Sequence, residues 1–337
     1  MNVMATQIQR GDKSHPADSP PVSIILTVLN EEAHLREAIS AALNSDYSGE
    51  LEVIIAVGPS NDSTWAIAQD IAKSDSRVRV IENPTGKTPA GLNAALRNSK
   101  HEIVVRIDGH SEIEKNYITT AVQTLQETGA VNVGGVMAAE GVTTFEKSVA
   151  RAMRSPIGVG SAKFHTGGKA GKTDTVYLGV FKRAALDAVG GYDENFIRAQ
   201  DWEMNFRLRE KGGLIWFNPD LRVTYRPRNS IRKLAKQYFE YGRWRRMVIR
   251  THKGTANYRY LAPPVNLLGN LISLLLAVLI SPWFLIPPAG YLVAITLSGL
   301  IMGKSWGERI RLPIVLITMH FSWGFGFISS PRNLINL

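Results

Sequence analysis

Short β-branched runs alternate with stretches of helical period through the first two-thirds of the chain. Apolar runs at 22–28, 51–57, 78–81 and 103–107 read as strands, and the segments 31–44, 64–73 and 90–98 between them carry the three- and four-residue apolar spacing of helices. A further helix at 117–127, a strand at 131–137 and a helix at 202–211 extend the pattern. Strands separated by helices predict a mostly parallel sheet covered on both faces, with ligands at the carboxyl ends of the strands. The polar segments 27–32, 58–62 and 108–110 are therefore expected to converge. Residues 155–174, rich in Gly, Ser and Lys, predict a mobile loop, whether an ordinary solvated connection or one that orders over substrate.

The pattern changes beyond about residue 260. Residues 265–286 form a nearly continuous apolar run, long enough to cross a hydrocarbon layer of about 30 Å. Residues 288–303 and 312–329 are weaker second and third candidates. Just before them, Ile231, Leu234, Tyr238, Tyr241, Trp244 and Val248 form one helical stripe flanked by Arg and Lys, as expected of a helix lying at a membrane surface. Four regions follow: a disordered tail at 1–21, a catalytic domain at 22–228, a basic amphipathic helix at 229–260 and about three transmembrane helices at 261–337.

Composition sharpens this division. The net charge of +10 concentrates at 222–253, where Glu240 is the only acid, and the 304–311 loop is also basic. With the uncharged link at 281–288, this bias places the catalytic region on the cytoplasmic side of a cell membrane crossed in several passes, and the C-terminus outside if all three segments span. The approach to a membrane span makes lipid headgroups or a lipid phosphate the partner, and not nucleic acid. The absence of cysteine excludes disulfide scaffolds and thiolate zinc sites.

Six segments carry a family resemblance: Val22-Ser-Ile-Ile-Leu-Thr-Val-Leu-Asn-Glu-Glu32, Gly58-Pro-Ser-Asn-Asp-Ser-Thr64, Asn83-Pro-Thr-Gly-Lys-Thr-Pro-Ala-Gly-Leu-Asn93, Arg106-Ile-Asp-Gly-His110, Gly190-Gly-Tyr-Asp-Glu194 and Gln200-Asp-Trp-Glu203. In order and spacing the chain resembles the inverting glycosyltransferases of family 2, in particular membrane-associated members of the succinoglycan-glucosyltransferase kind. The resemblance implies a GT-A fold, a Rossmann-like α/β domain, and a nucleotide-diphosphate-sugar donor with UDP as the default.

It also distributes roles. Asn30 or Glu31 and Asp62 would hold base and ribose, although Asn30 and Asp62 also suit helix caps. Lys87 and Asn93 would stand beside the nucleotide, with a solvated lysine the alternative for Lys87, and Arg106 lies in the donor-side motif. Asp108 and His110, two residues apart after a strand, can face one divalent cation, Mg²⁺ or Mn²⁺, that neutralises the diphosphate. The family commonly has aspartate at both positions. Asp201 would be the base that deprotonates the acceptor hydroxyl, with Glu203 the fallback and an N-cap the alternative role for Asp201.

Trp202 would wall the sugar or acceptor site, or pack in the core. Gln237 with Arg243 and Trp244 is similar to the Gln-x-x-Arg-Trp element of processive synthases, at the wrong spacing. That departure favours transfer of one sugar to a lipid-linked saccharide in envelope or exopolysaccharide synthesis. A processive synthase and a non-catalytic nucleotide-sugar-binding scaffold are the alternatives. Arg243, Arg245 or Arg246 is expected to meet a phosphate of donor or lipid acceptor.

Overall fold

The computed structural model describes residues 19–334, so residues 1–18 of the expected tail lie outside the described residues. In chain order the elements are β1 (Val22–Val28), α1 (Leu35–Leu43), β2 (Leu51–Val57), α2 (Thr64–Ser74), β3 (Val78–Glu82), α3 (Thr88–Asn98), β4 (Ile103–Arg106), β5 (Glu112–Ile113), α4 (Tyr117–Thr128) and β6 (Asn132–Ala139). Then come α5 (Thr144–Met153), α6 (Pro156–Val159), α7 (Lys163–Thr166), β7 (Gly171–Lys172), β8 (Tyr177–Lys182), α8 (Arg183–Ala188), α9 (Gln200–Glu210) and β9 (Ile215–Tyr225). The chain continues with α10 (Ile231–Thr251), α11 (Tyr258–Leu279), a 3₁₀ turn (Pro282–Leu285), α12 (Ile286–Met302) and α13 (Trp306–Ser329).

One sheet of nine strands runs in the order β3-β2-β1-β4-β8-β6-β9-β5, with β7 also paired to β9. The half from β3 to β4 is parallel, as the alternation of strand and helix predicts. Antiparallel β8 joins that half to β6 and to its parallel neighbour β9. Successive residues of β1 feed opposite faces: Val22, Ile24, Leu26 and Val28 pack with α1, α2 and α4, whereas Ile25 packs with α3, α8 and α9. Burial on both faces explains why these strands read as unbroken apolar runs.

Three local expectations change. The first helix begins four residues later than its apolar period predicts, because Asn30 has a positive φ of 57° and the 29–34 segment bonds to the loop after β2. Residues 155–174 contain α6, α7 and β7 separated by glycines in left-handed conformation, and β7 pairs with β9. This segment is folded onto the sheet where a mobile connection was expected. The apolar stripe of α10 is largely covered by protein: Leu234, Tyr238, Trp244 and Val248 are buried, and only Ile231 is strongly exposed.

The covering element is α13. Met137 and Ala139 of β6, Val149 and Met153 of α5, Leu234 and Tyr238 of α10, and Leu312, Val315, Leu316 and Met319 of α13 form one shared core. Glycines let α10 and α13 approach closely: a Cβ at Gly242 would lie 2.1 Å from the Trp323 carbonyl oxygen, and one at Gly326 would lie 2.0 Å from that of Phe239. The expected boundary near residue 228 is therefore not a gap in packing.

Both ends of α13 are fastened. Arg151 Nε of α5 donates to Glu308 Oε2 at 2.8 Å. Arg246 donates to the carbonyls of Phe327 and Ile328, and Arg250 to those of Ser330 and Pro331. These bonds satisfy carbonyls that a helix C-terminus leaves without intrahelical partners. By length and composition three helical segments are long and apolar enough to cross a membrane: Tyr258–Leu279, Pro282–Met302 and Trp306–Ser329. The first two are almost wholly unburied, whereas a third of the most apolar window of the last is buried in protein.

Candidate active site

Three strand ends meet as the topology requires. After β1 and β2 the backbone and side chains cross-bond: Asn30 Oδ1 accepts from the Asn61 N–H at 2.8 Å, Thr64 Oγ1 from Glu31 N–H at 2.7 Å, and Asp62 Oδ2 from Glu32 N–H at 3.2 Å. Glu32 Oε2 returns a bond by accepting from Ser63 N–H at 3.0 Å. Asp62 Oδ1 also accepts from the Thr64 hydroxyl and N–H, and these bonds hold the Asp62 carboxyl below its ordinary value. Asn30 and Asp62 thus fix the wall between two loops and do not simply cap helices; α1 begins after His34, and Ser63 precedes α2.

The loop after β4 adds Asp108 and His110. Gly109 fits only because it lacks a side chain: a Cβ there would lie 2.5 Å from Val28 Cγ1. His110 Nδ1 lies 2.8 Å from Glu31 Oε1, and that hydrogen bond raises the imidazole's pKa above its ordinary value. With Nδ1–H donated to Glu31, the neutral tautomer keeps its Nε2 lone pair, and the pairing is compatible with the expected role of His110 as a ligand. Among the described residues no group of three or more His, Asp and Glu is placed to hold a metal ion. A cation of the Mg²⁺ or Mn²⁺ kind needs less, since it binds through one or two carboxylates together with substrate phosphates. Asp108, about a quarter exposed and with only Oδ1 engaged by Arg106, fits that requirement.

Arg106, the last residue of β4, is the centre of the arrangement. Its guanidinium is buried, donates to Asp108 Oδ1 through Nη2 at 3.1 Å and forms an ion pair with Asp201 through Nη1. The Tyr192 ring lies 5.9 Å from its Cζ. One cation thus joins a carboxylate from the β4 end to one from α9. Arg106 was expected at the donor; it is instead enclosed and serves the two aspartates.

Asp201 lies in the first turn of α9. The residue before the helix, Ala199, has φ 59°, a strained left-handed conformation for a residue with a Cβ. Ala199, not Asp201, is the N-cap.

Asn93, expected beside the nucleotide, has its amide engaged within the protein. Its amide nitrogen donates to Tyr192 O and Glu194 Oε1, and its Oδ1 accepts from Tyr192 N–H at 2.8 Å, so it clamps the Gly190–Glu194 segment that delivers Tyr192. Glu203 is excluded as a fallback base, being 1% exposed with both oxygens bonded by Arg207 and Oε1 also near His252 Nε2. Lys87 alone of the donor-side candidates is an exposed cation at the start of α3, free of any ion pair among the described residues.

The residues expected at the acceptor or a phosphate face different neighbours. Arg243 pairs with Glu240 at 3.1 Å and lies over Phe239, and Trp244 is buried with Phe196, Trp202, Met247 and Val248. Gln237 donates to the hydroxyls of Tyr225 and Tyr241. Arg245 is the residue that reaches Trp202, with its Cζ 4.7 Å from the Trp202 ring centroid. A helix turns about 100° per residue, so adjacent basic residues face different neighbours, and the one-dimensional pattern did not select among them. Tyr192 and Arg245 are the site residues that the expected set omitted or left undecided. Tyr192 stood inside a quoted motif, which was the available signal.

A sheet with polar strand ends gathered around two part-buried aspartates joined by one buried arginine is an arrangement of the GT-A kind. The chain belongs to glycosyl transferase family 2, whose profile matches residues 23–190. It is 30% identical over 310 residues to the succinoglycan biosynthesis protein ExoA of Rhizobium meliloti (strain 1021), covering 90% of this chain and 93% of that protein. It is 25% identical over 319 residues, 91% and 95% of the two chains, to the dolichyl N-acetyl-alpha-D-glucosaminyl phosphate 3-beta-D-2,3-diacetamido-2,3-dideoxy-beta-D-glucuronosyltransferase of Methanococcus voltae. A similar fold occurs in the mannosyltransferase PcManGT from Pyrobaculum calidifontis, solved in complex with GDP-Man and Mn2+, at a TM-score of 0.59 and 21% identity over 90% of this chain and 87% of that one.

Proposed function

We propose that this glycosyltransferase is inverting and non-processive, moving one sugar from a nucleotide-diphosphate sugar to a lipid-linked acceptor in cell-envelope or exopolysaccharide synthesis. The observation that carries the reading is the attachment of Asp108 and Asp201 to one buried guanidinium, that of Arg106. Asp108 faces the diphosphate. Asp201, whose Oδ2 has no partner among the described residues, takes the proton of the acceptor hydroxyl as its oxygen bonds the anomeric carbon and the bond to the diphosphate breaks. Asp108, with the donor phosphates, would hold a divalent metal, which when bound would neutralise charge on the departing nucleoside diphosphate. Arg106 positions both carboxylates. Burial of Trp244 supports single transfer, because it removes the exposed aromatic plate that the Arg-Trp element would offer a growing chain.

The enzyme works at a membrane, with its catalytic region on the cytoplasmic side. The hairpin of α11 and α12 enters the bilayer, tip at residues 281–285, through exposed side chains such as Leu271, Leu275, Val278 and Trp283. In this reading α13 does not cross, which departs from the expectation of three spans. It lies beside α10, whose seven arginines and lysines would otherwise have to enter hydrocarbon with it. The C-terminus then shares the side of the catalytic region. Since the chain has no cysteine, single cysteines introduced at Ser281 and Asn333 report sidedness directly. An impermeant maleimide should label Asn333→Cys only in vesicles whose cytoplasmic face is outward; labelling from the opposite face would restore three spans.

The test of function is release of nucleoside diphosphate by purified protein in detergent, with membrane lipid extract and Mg²⁺ or Mn²⁺. The donor panel begins with UDP-sugars, the family default, and GDP-mannose, the donor bound by the similar mannosyltransferase. Release with one donor, abolished by chelator, is expected. A folded sample silent with every donor would favour the scaffold reading.

A further inference from the structure

Arg245 is the most anomalous charge in the molecule. Its Nε and Nη1 are out of reach of solvent and have no hydrogen-bond acceptor among the described residues. No carboxylate there lies within ion-pair distance of it either. Burial is the largest influence on its guanidinium and acts to lower its pKa, and the nearby Arg259 acts in the same direction. Arginine nevertheless stays charged at any pH a protein experiences, so buried N–H groups of this kind call for oxygen ligands.

The surroundings fix the guanidinium plane. Its Cζ lies 4.7 Å from the Trp202 ring centroid and 4.0 Å from that of Tyr260. Arg259 lies over the same Tyr260 ring at 4.8 Å and donates to its hydroxyl at 2.6 Å. Two guanidiniums thus flank one aromatic ring, and the Nε–Nη1 edge of Arg245 is left without an oxygen partner among the described residues. Arg259 also lines a cavity of about 280 Å³ whose other charged walls are Lys163, Lys172 and Asp174. Gly160 makes room for it: a Cβ at Gly160 would lie 2.5 Å from Arg259 Cγ.

Position indicates which anion. Trp202 follows Asp201 in sequence, and Tyr260 stands in the first turn of α11, whose Leu261, Val265 and Leu268 are exposed apolar side chains continuing away from the site. An anion at Arg245 therefore sits between the reacting carboxylate and an apolar track. The donor's diphosphate has its own place at Asp108, where Arg106 is already engaged. We propose that Arg245, backed by Arg259, binds the phosphate of the lipid-linked acceptor and places the acceptor sugar at Asp201. The proposal rests on the reading of Asp201 and of a lipid-linked acceptor given above.

The test is a binding measurement that needs no turnover, so it fails independently of the transferase reading. Full-length protein in phosphatidylcholine nanodiscs is titrated with undecaprenyl phosphate, undecaprenol and inorganic phosphate, and separately with UDP and GDP plus Mn²⁺. Wild type should bind the phosphorylated lipid, with Arg245→Gln weakening it at least tenfold and Arg245→Lys by less, while nucleoside diphosphate binding stays within twofold. Arg259→Gln, at the outer edge of the site, should weaken lipid binding severalfold and keeps the test open if both Arg245 variants fail to fold. Four results from these titrations would overturn the proposal, and a fifth comes from the lipid composition: unchanged lipid binding in folded variants, an equal loss of nucleoside diphosphate binding, equal binding of undecaprenol, or full competition by inorganic phosphate at the lipid's own concentration. Replacing a third of the phosphatidylcholine with phosphatidylglycerol should compete by less than twofold; complete competition would reduce the site to a contact with bulk headgroups and sink it.

Discussion

The two ends of the chain solve the burial problem in opposite ways. In the sheet half, apolar side chains of β1, β2 and β4 are enclosed on both faces, and polar atoms of the loops bond one another across the strand ends. In the α11–α12 hairpin the apolar side chains point outward and polar side chains bond back to their own helix: Asn270 to the Asn266 carbonyl and Ser298 to that of Ala294. Such a surface is unstable in water and stable in lipid. Helix α13 belongs to both regimes, with one face in the shared core and Ile310, Ile314 and Phe325 outside. The pair teaches that the apolar content of a helix does not state its partner; the groups fastening its ends do.

Breaking the comparison outright should have the largest effect. Ending the chain after residue 305 removes Leu312, Val315, Leu316 and Met319 from the shared core. At about 1.5–3 kcal/mol per buried side chain the loss is about 6–12 kcal/mol, comparable to the whole stability of a domain. The truncated protein should fail to give a cooperative melt in detergent; an unchanged melt would show the sheet half to be independent. Asp201→Asn tests the sheet half alone. Turnover should fall by about 10²–10⁴-fold, the usual contribution of a general base, with donor binding preserved in calorimetry. Parallel loss of donor affinity would move Asp201 out of that role. The smallest effect is expected at Ala199→Gly, which relieves a left-handed alanine and should raise stability by about 0.5–1 kcal/mol, read as a small increase in melting temperature. A decrease would mean that the flexibility of glycine outweighs the strain.

Much of the sheet half was legible because period and punctuation are local signals. The strand ends that meet around Asp108 follow from topology alone, and the segment at 64–73 differs from α2 by one residue. What was not legible depends on partners far along the chain. Asn93 reads as a nucleotide contact until its bonds to Tyr192, 99 residues later, are seen. Arg106 reads as a donor residue until Asp201 arrives from α9. The stripe of α10 announced an apolar face correctly, but amphipathic period is the same whether lipid or another helix covers it. Likewise the Arg243–Arg246 run showed cations near the site without showing that only Arg245 turns to Trp202.

The fastening of α13 has a consequence for how the protein is made. Chains emerge from the ribosome N-terminus first, and domains ordinarily complete in that order. Here the face of β6 and α5 stays uncovered until α13 has been synthesised, 157 residues after Arg151 in the case of its bond to Glu308. The hairpin is made before α13 and lies between them in sequence. On the proposed reading of the hairpin as membrane-inserted, its insertion precedes closure of the fold, and the nascent chain reaches lipid before the sheet half is complete. On that reading, completion of the fold and delivery to the membrane are one process.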